Sequence, residues 1–374
     1  MSRNMKSKSF LRKLQMTNRK SCAEIKFEKI NPSGATPVLS IGLPVFNQER
    51  IIGRNITSIL SHTFTFYELI VIDDASKDAT LEAIISVFDD EVFRNFPNLT
   101  GVKVYSNRKS RFETNCDDHL INASSSSLFL EIQSDMLIEQ PGYDQRLIEA
   151  IKSQPDLVAI SGRGVHRISE VLTEYAKTAG SDRSRGRTIP RHLVNVIRTR
   201  AHAIKQKNAA LRVFSPPSDS SISDHALFAL QDDFFVTGEV GQLGPLVEKK
   251  MEPKYLEERK IFVGETVMRG PLLIDKEKLV ELGDWDYGAF FQGFDDHDFC
   301  LKAYLSRGFR VGYVPIGFAS PAFDGTTRKK KSLTSEFAIL SNLIRIRRAR
   351  RKSHLYLVAM SRTPQLPDPE IRNF

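Results

Sequence analysis

Cysteine is scarce in this 374-residue chain: Cys22, Cys116 and Cys300 are the only three. An odd number, far apart and without metal-like spacing, excludes a disulfide framework and suits a reducing compartment. The basic first 20 residues hold no apolar run of signal-peptide length. Nowhere does the chain reach the roughly 18–20 consecutive apolar residues that a spanning helix needs. These absences argue against secretion and membrane insertion and lead us to expect a cytoplasmic protein. There is no internal repeat, and low complexity is confined to the charged ends.

The formal charge of +9 is concentrated at the two ends of the chain. Residues 1–30 carry nine Lys/Arg against two acids, and residues 328–374 carry twelve against three, which leaves −7 for residues 31–327. An acidic body with two basic arms, whose basic runs hold few interleaved aromatics, weakens a nucleic-acid-binding reading. Residues 336–352 set Phe337, Leu340, Leu343 and Ile344 beside six basic residues between Arg345 and Lys352. That pattern fits either a helix packed on the body or a peripheral helix on an anionic membrane.

Residues 1–36 are rich in Lys, Arg, Ser and Asn and read as a flexible basic arm. The run Val38–Leu43 predicts a buried strand stopped by Pro44, and Ile51, Ile52, Ile56, Ile59 and Leu60 recur at helical spacing. Glu68–Ile72 predicts a second strand, followed by a helix from Ser76 with Ser76 as its N-cap. Further strands are expected at Val102–Tyr105 and Leu128–Ile132, separated by a helix over about 115–123. Alternating strands and helices imply an α/β fold, a mostly parallel sheet with helices on both faces. Residues 37–327 then form the main domain, with halves at 37–160 and 266–327 around an insertion at 161–265 that holds the basic stretch Arg183–Arg212. Residues 328–374 form a basic helical C-terminal extension. Pattern returns at Pro271–Ile274, in a helix over about 295–307 and in the strand Phe309–Val314.

Ligands of such sheets bind at the carboxyl ends of the strands. The first strand delivers Pro44, Phe46, Asn47 and Glu49; the second Asp73, Asp74 and Ser76; the fourth Gln133 and Asp135. Singly, Asp74 or Ser76 would be a helix cap and Asp135 a turn residue. Together they form an acidic rim. An acidic protein that handles a diphosphate leaving group needs a divalent cation, and carboxylate oxygen suits Mg²⁺ or Mn²⁺. Asp73 or Asp74 would accept hydrogen bonds from a base or ribose.

These segments resemble glycosyltransferase family 2. Leu39-Ser40-Ile41-Gly42-Leu43-Pro44-Val45-Phe46-Asn47-Gln48-Glu49 is similar to the family's opening strand and Pro-x-aromatic-Asn-x-Glu loop, and Asp73-Asp74-Ala75-Ser76-Lys77-Asp78-Ala79-Thr80 to its second signature. Where the family has Asp-x-Asp, this chain reads Gln133-Ser134-Asp135, with Glu131 as a possible substitute. Gly293-Phe294-Asp295-Asp296-His297-Asp298 is similar to the acidic pair that opens a helix beneath the acceptor site. The resemblance covers residues 37–160 and 265–320. It implies a GT-A fold and inverting transfer from a nucleotide-sugar donor to a glycan or lipid-linked acceptor, as in polysaccharide biosynthesis. It also implies a nucleotide pocket on Pro44, Phe46, Asn47, Glu49, Asp73, Asp74, Ser76 and Gln133, and a Mn²⁺ or Mg²⁺ ion on Asp135. Asp296 matches the general base, with Asp295 beside it and Asp298 toward the acceptor.

Several roles stay open in the sequence. Arg269 either contacts the diphosphate or pairs with an acid. Trp285, the sole tryptophan, either stacks on a sugar or anchors the core. Like-charge repulsion from Asp295 and Asp298 is expected to raise the Asp296 pKa; the alternative role for this acidic turn is to favour the helix dipole. No His follows the last strand, and Asp324 is the acid nearest that place. Two rivals remain. A sugar nucleotidyltransferase would need a Gly-rich loop after the first strand, which Gly42-Leu43-Pro44-Val45 does not offer. A catalytically weak, sugar-nucleotide-binding relative is suggested by Gln133.

Overall fold

A computed structural model describes residues 23–89, 91–166, 168, 235–239, 245–248, 257–283, 294–321, 353–360, 366 and 368–374. Trp285, Asp324, the stretch Arg183–Arg212 and the helix expected over 336–352 lie outside the described residues. The first half runs β1 (Ala23–Ile30), β2 (Leu39–Val45), α1 (Ile52–His62), β3 (Tyr67–Asp73), α2 (Thr80–Ile85), α3 (Val92–Asn95), β4 (Leu99–Asn107), α4 (Glu113–Ala123) and β5 (Leu128–Glu131). It continues through β6 (Leu137–Ile138), α5 (Tyr143–Ser153), β7 (Leu157–Ser161) and β8 (Val165–His166). Next come β9 (Phe235–Glu239), β10 (Pro245–Glu248), β11 (Lys260–Gly264), β12 (Thr266–Val267) and β13 (Leu272–Asp275). The described chain ends with α6 (Lys276–Glu281), α7 (Asp295–Arg307), β14 (Arg310–Tyr313), β15 (Phe318–Pro321), α8 (His354–Met360) and β16 (Glu370–Asn373).

Ten strands form the central sheet in the order β1-β4-β3-β2-β5-β13-β7-β14-β11-β16. All but β1, β11 and β13 point the same way, so the sheet is mostly parallel as expected. Alternation along a strand sends side chains to opposite faces. Leu69 and Val71 of β3 accordingly enter an apolar cluster with Ile52, Ile56 and Ile59 of α1. Ile70 and Ile72 enter a second cluster with Cys116 and Leu120 of α4 and Phe299 of α7. Helices therefore cover both faces. Phe129 of β5 packs over Gly42, where any Cβ would collide with its ring.

The structure departs from the sequence expectations in four places. β1 lies inside the arm expected to be flexible and pairs antiparallel with β4 from Ala23↔Asn107 to Ile30↔Gly101. Pro44 does not stop β2: it pairs in register with Ile72 of β3, while β5 pairs with β2 only over Ser40–Gly42, so its missing N–H lies beyond the β5 ladder. Ser76 does not cap α2, which begins at Thr80 after Ala79. The C-terminal extension is not purely helical, since β16 closes the sheet edge against β11 and Arg372 grips Asp156 with contacts of 2.7 and 3.0 Å. Among the described residues no helix is long and apolar enough to cross a membrane.

Candidate active site

The loops after β2 and β3 are bound to one another. Asn47, at φ +52°, donates its N–H to Ser76 Oγ (2.9 Å) and accepts the Lys77 N–H on Oδ1 (2.8 Å). Glu49 accepts the Ala79 N–H at 2.9 Å, and Gln48 N–H donates to Thr80 Oγ1 at 2.7 Å. Asn47, Glu49 and Ser76 thus brace the two loops, and Pro44 and Phe46 lead into that brace. Asp73 accepts from the Ser76 N–H (3.2 Å) and Ser106 Oγ (3.0 Å). Asp74 accepts four hydrogen bonds, from Asn107 Nδ2, Arg111 N, Ser110 Oγ and Phe112 N at 2.6–2.9 Å. It fixes the segment 107–112 that leads into α4.

At the end of β5, Gln133 Nε2 donates to Glu113 Oε1 and Gln133 Oε1 accepts from Arg163 Nη1, both at 3.2 Å. Asn55 of α1 donates to the carbonyls of Gln133 and Met136, clamping the turn that carries Asp135. The Asp135 side chain is buried at 7% exposure, and no described residue bonds its carboxylate. Among the described residues no three His, Cys, Asp or Glu side chains cluster as a metal set. One uncommitted carboxylate still fits a hard cation whose other positions are taken by phosphate oxygens and water.

Arg269 joins this strand end to α7. Its guanidinium, 6% exposed, pairs with Asp117 through Nη1, and through Nη2 with Asp295 at 3.1 Å and Glu113 at 3.7 Å. Of the two roles the sequence left open, pairing with acids is the one the guanidinium fills. The Asp295 contact is a charge pair without hydrogen-bond alignment: both Asp295 oxygens lack a described hydrogen-bond partner. The next residue, Gly270, donates its N–H to Glu131 Oε2 at 3.0 Å, and a Cβ there would lie 2.5 Å from Gln133 Cγ. The sequence reading missed Glu113 and Asp117. Their four-residue separation puts them on one stripe of α4, and that spacing was their only signal.

The acidic turn divides its labour. Asp296 accepts the Arg269 N–H on Oδ2 (3.2 Å) and the His297 N–H on Oδ1 (2.9 Å). Burial pushes its carboxyl up, but His297, Arg269 and those two N–H groups outweigh it and hold the group below the ordinary carboxylate range. This corrects the expected upward shift; the acid that rises is Asp295, pushed to about 7 by burial, with Arg269 opposing and Asp296 reinforcing. Asp298 is no acceptor contact. It is 2% exposed and its Oδ1 accepts the Leu355 N–H at 2.7 Å, so it caps α8 together with Ser353 Oγ, which accepts from Tyr356 N at 3.2 Å.

Burial, against the pull of Arg269, likewise pushes Glu131 up to about 7. Folded Glu131 and Asp295 therefore keep protons up to about pH 7, whereas their ordinary values are 4.5 and 3.8. Between those limits the folded state binds more protons, so this contribution to stability is present at low pH and lost as pH rises through 7. Thermal midpoints are expected to fall between about pH 5.5 and about pH 8, and to fall less in Glu131→Gln. An equal fall in the variant removes Glu131 from the account.

The candidate site joins an acidic rim at the strand ends of a mixed sheet, a braced double loop and an oriented carboxylate in the first turn of α7. Residues 40–213 match the model described as "Glycosyl transferase family 2". A curated relative from Haemophilus influenzae, described as an uncharacterized glycosyltransferase, is 38% identical over 55 residues, 15% of this chain and 22% of the relative. Among solved structures, S. aureus TarS 1–349 is similar at 12% identity and TM-score 0.39, covering 75% of this chain and 59% of its own. GalNAc-T7 with UDP, GalNAc and Mn²⁺ is similar at 12% identity and TM-score 0.45, covering 75% and 43%. The chain thus spans less than two thirds of each of these proteins.

Proposed function

We propose that this chain transfers a sugar from a nucleoside diphosphate sugar to a hydroxyl of a glycan or lipid-linked acceptor, with inversion at the anomeric carbon. The acceptor oxygen attacks from the face opposite the diphosphate, the glycosidic C–O bond breaks with its electron pair leaving on the diphosphate, and the hydroxyl proton passes to Asp296. A carboxylate held below its ordinary range is ionised at neutral pH. It takes the proton as the hydroxyl becomes acidic during attack. The observation that carries this reading is the unbroken chain of contacts from Asp74 through the 107–112 segment, Glu113 and Arg269 to Asp296, with Gln133 hydrogen-bonded to Glu113 two residues before Asp135.

The loops 44–49 and 73–78 form the nucleotide side of the site in this reading, and Asp135 is the residue that would hold Mn²⁺ or Mg²⁺. The cation, when bound, neutralises charge that grows on the leaving group. Asp135 and Gln133 stand at one strand end, so the amide of Gln133 adds a neutral oxygen donor at most, already engaged by Arg163.

The test is slow hydrolysis of UDP, GDP, ADP and dTDP sugars by purified protein with Mn²⁺. Chelation and Asp135→Ala are each expected to lower the rate by about 100-fold or more, since both remove the charge that offsets the leaving diphosphate. A rate unmoved by chelation removes the metal role. A wild-type protein that hydrolyses none of the panel removes the transferase reading.

A further inference from the structure

Asp117 is a buried carboxylate, 3% exposed, whose one described side-chain partner is Arg269. Its second oxygen, Oδ1, has no hydrogen-bond partner among the described residues. Packing of α4 on the sheet needs apolar groups such as Cys116 and Leu120, not a charge in their midst. A buried acid with a single partner is weak evidence for a stabilising role.

What Asp117 holds is a residue with two working ends. The Arg269 main-chain N–H orients Asp296 Oδ2 at 3.2 Å, while the Arg269 side chain reaches Asp295 at 3.1 Å. Both of those acids belong to α7, so these two contacts fix Arg269 relative to α7 alone. Gly270 N–H ties the adjoining main chain to Glu131 of β5 at 3.0 Å. The guanidinium gains its close anchor outside α7 from Asp117, on the helix that follows the segment ordered by Asp74; Glu113 contributes a longer contact at 3.7 Å. We propose that Asp117 is a positioning residue for the base Asp296, acting through Arg269 to set the carboxylate against the strand ends where the donor lies. This rests on the assignment of Asp296 as base.

The experiment is a double-mutant cycle with Asp117→Asn and Asp296→Asn, read by hydrolysis of whichever nucleotide sugar of the panel the wild-type protein turns over with Mn²⁺. Asp117→Asn keeps the shape and an acceptor for Arg269 but replaces the carboxyl with a neutral amide. Its kcat is expected to fall roughly 10- to 100-fold, as for a small displacement of a reacting group, with donor KM within about twofold. Its thermal midpoint is expected to stay within a few degrees of wild type, because Asp295 and Glu113 still face the guanidinium; a larger fall marks a purely structural acid. In the Asp296→Asn background the same change is expected to have no further effect, since a group that acts through Asp296 has nothing left to position. Additive losses, an unchanged kcat, or an Asp117→Asn chain that fails to fold each overturn the positioning role. Full activity in Asp296→Asn alone overturns the base assignment instead, so the two failures are told apart.

Discussion

Replacing Asp296 with Asn is expected, on the proposed role as base, to lower turnover by about 10²–10⁴-fold while nucleotide-sugar affinity stays within about threefold of wild type. Asn keeps the side-chain size and one oxygen to accept from the Arg269 or His297 N–H, so the turn at the start of α7 persists. What is lost is the capacity to take a proton in the transition state. A loss in kcat at constant donor affinity is the signature of a group that acts only there. The pH profile adds a second check. With the Asp296 carboxyl held below the ordinary range, protonating it stops the reaction only in strongly acidic solution, and activity governed by it is flat around neutral pH. Equal turnover in the variant would move the base elsewhere on the rim.

Arg269→Met is expected to destabilise the fold by about 3–5 kcal/mol at pH 8, the usual loss when one partner of a buried ion pair is removed. The substitution leaves Asp117 and Asp295, 4% and 1% exposed, facing each other's charge with Glu131 behind them. Those acids can escape by binding protons. Burial already pushes Asp117 well above the ordinary range and Glu131 and Asp295 to about 7 with the guanidinium present, and its removal raises them further. The folded variant then holds protons that the unfolded chain releases near pH 4, so its deficit shrinks as pH falls from about 8 to about 5. Denaturant unfolding at those two pH values checks this. A variant within about 1 kcal/mol of wild type at pH 8 would show that Arg269 does not neutralise the cluster.

The legible parts of this protein were those where chemistry and periodicity coincide. Leu39–Leu43 and Leu69–Ile72 are apolar runs that end in polar loops, and α7 occupies the residues its sequence pattern indicates. Pattern carries no direction, so β13, an apolar run between β5 and β7, gave no sign that it runs antiparallel to both. β1 and β16 were hidden for another reason. Edge strands are half wet, and Glu-Lys-Arg alternation in Ala23–Ile30 and Glu370–Asn373 reads as a solvated tail until a neighbour supplies the ladder.

Within the site, the motif residues were legible as a group but their division of tasks was not. Asp295, Asp296 and Asp298 are one charge pattern in the sequence, and only the packing of α8 and Arg269 against α7 separates a charge clamp, an oriented carboxylate and a helix cap. Asp74 looked like a ligand for a base or ribose and spends all four of its close contacts on the 107–112 segment. Asn47 and Glu49 likewise spend theirs on the neighbouring loop.

The cap that Asp298 offers to Leu355 stitches the far end of the polypeptide to the first turn of α7. Trimming a gene for expression at residue 327, the expected end of the main domain, would therefore cut through a load path: the product would lack Leu355, which is wholly buried, and with it the N–H that Asp298 accepts two residues from the proposed base. Shortened versions of this polypeptide should carry the tail, or a surrogate for it, before their inactivity is blamed on the acidic turn.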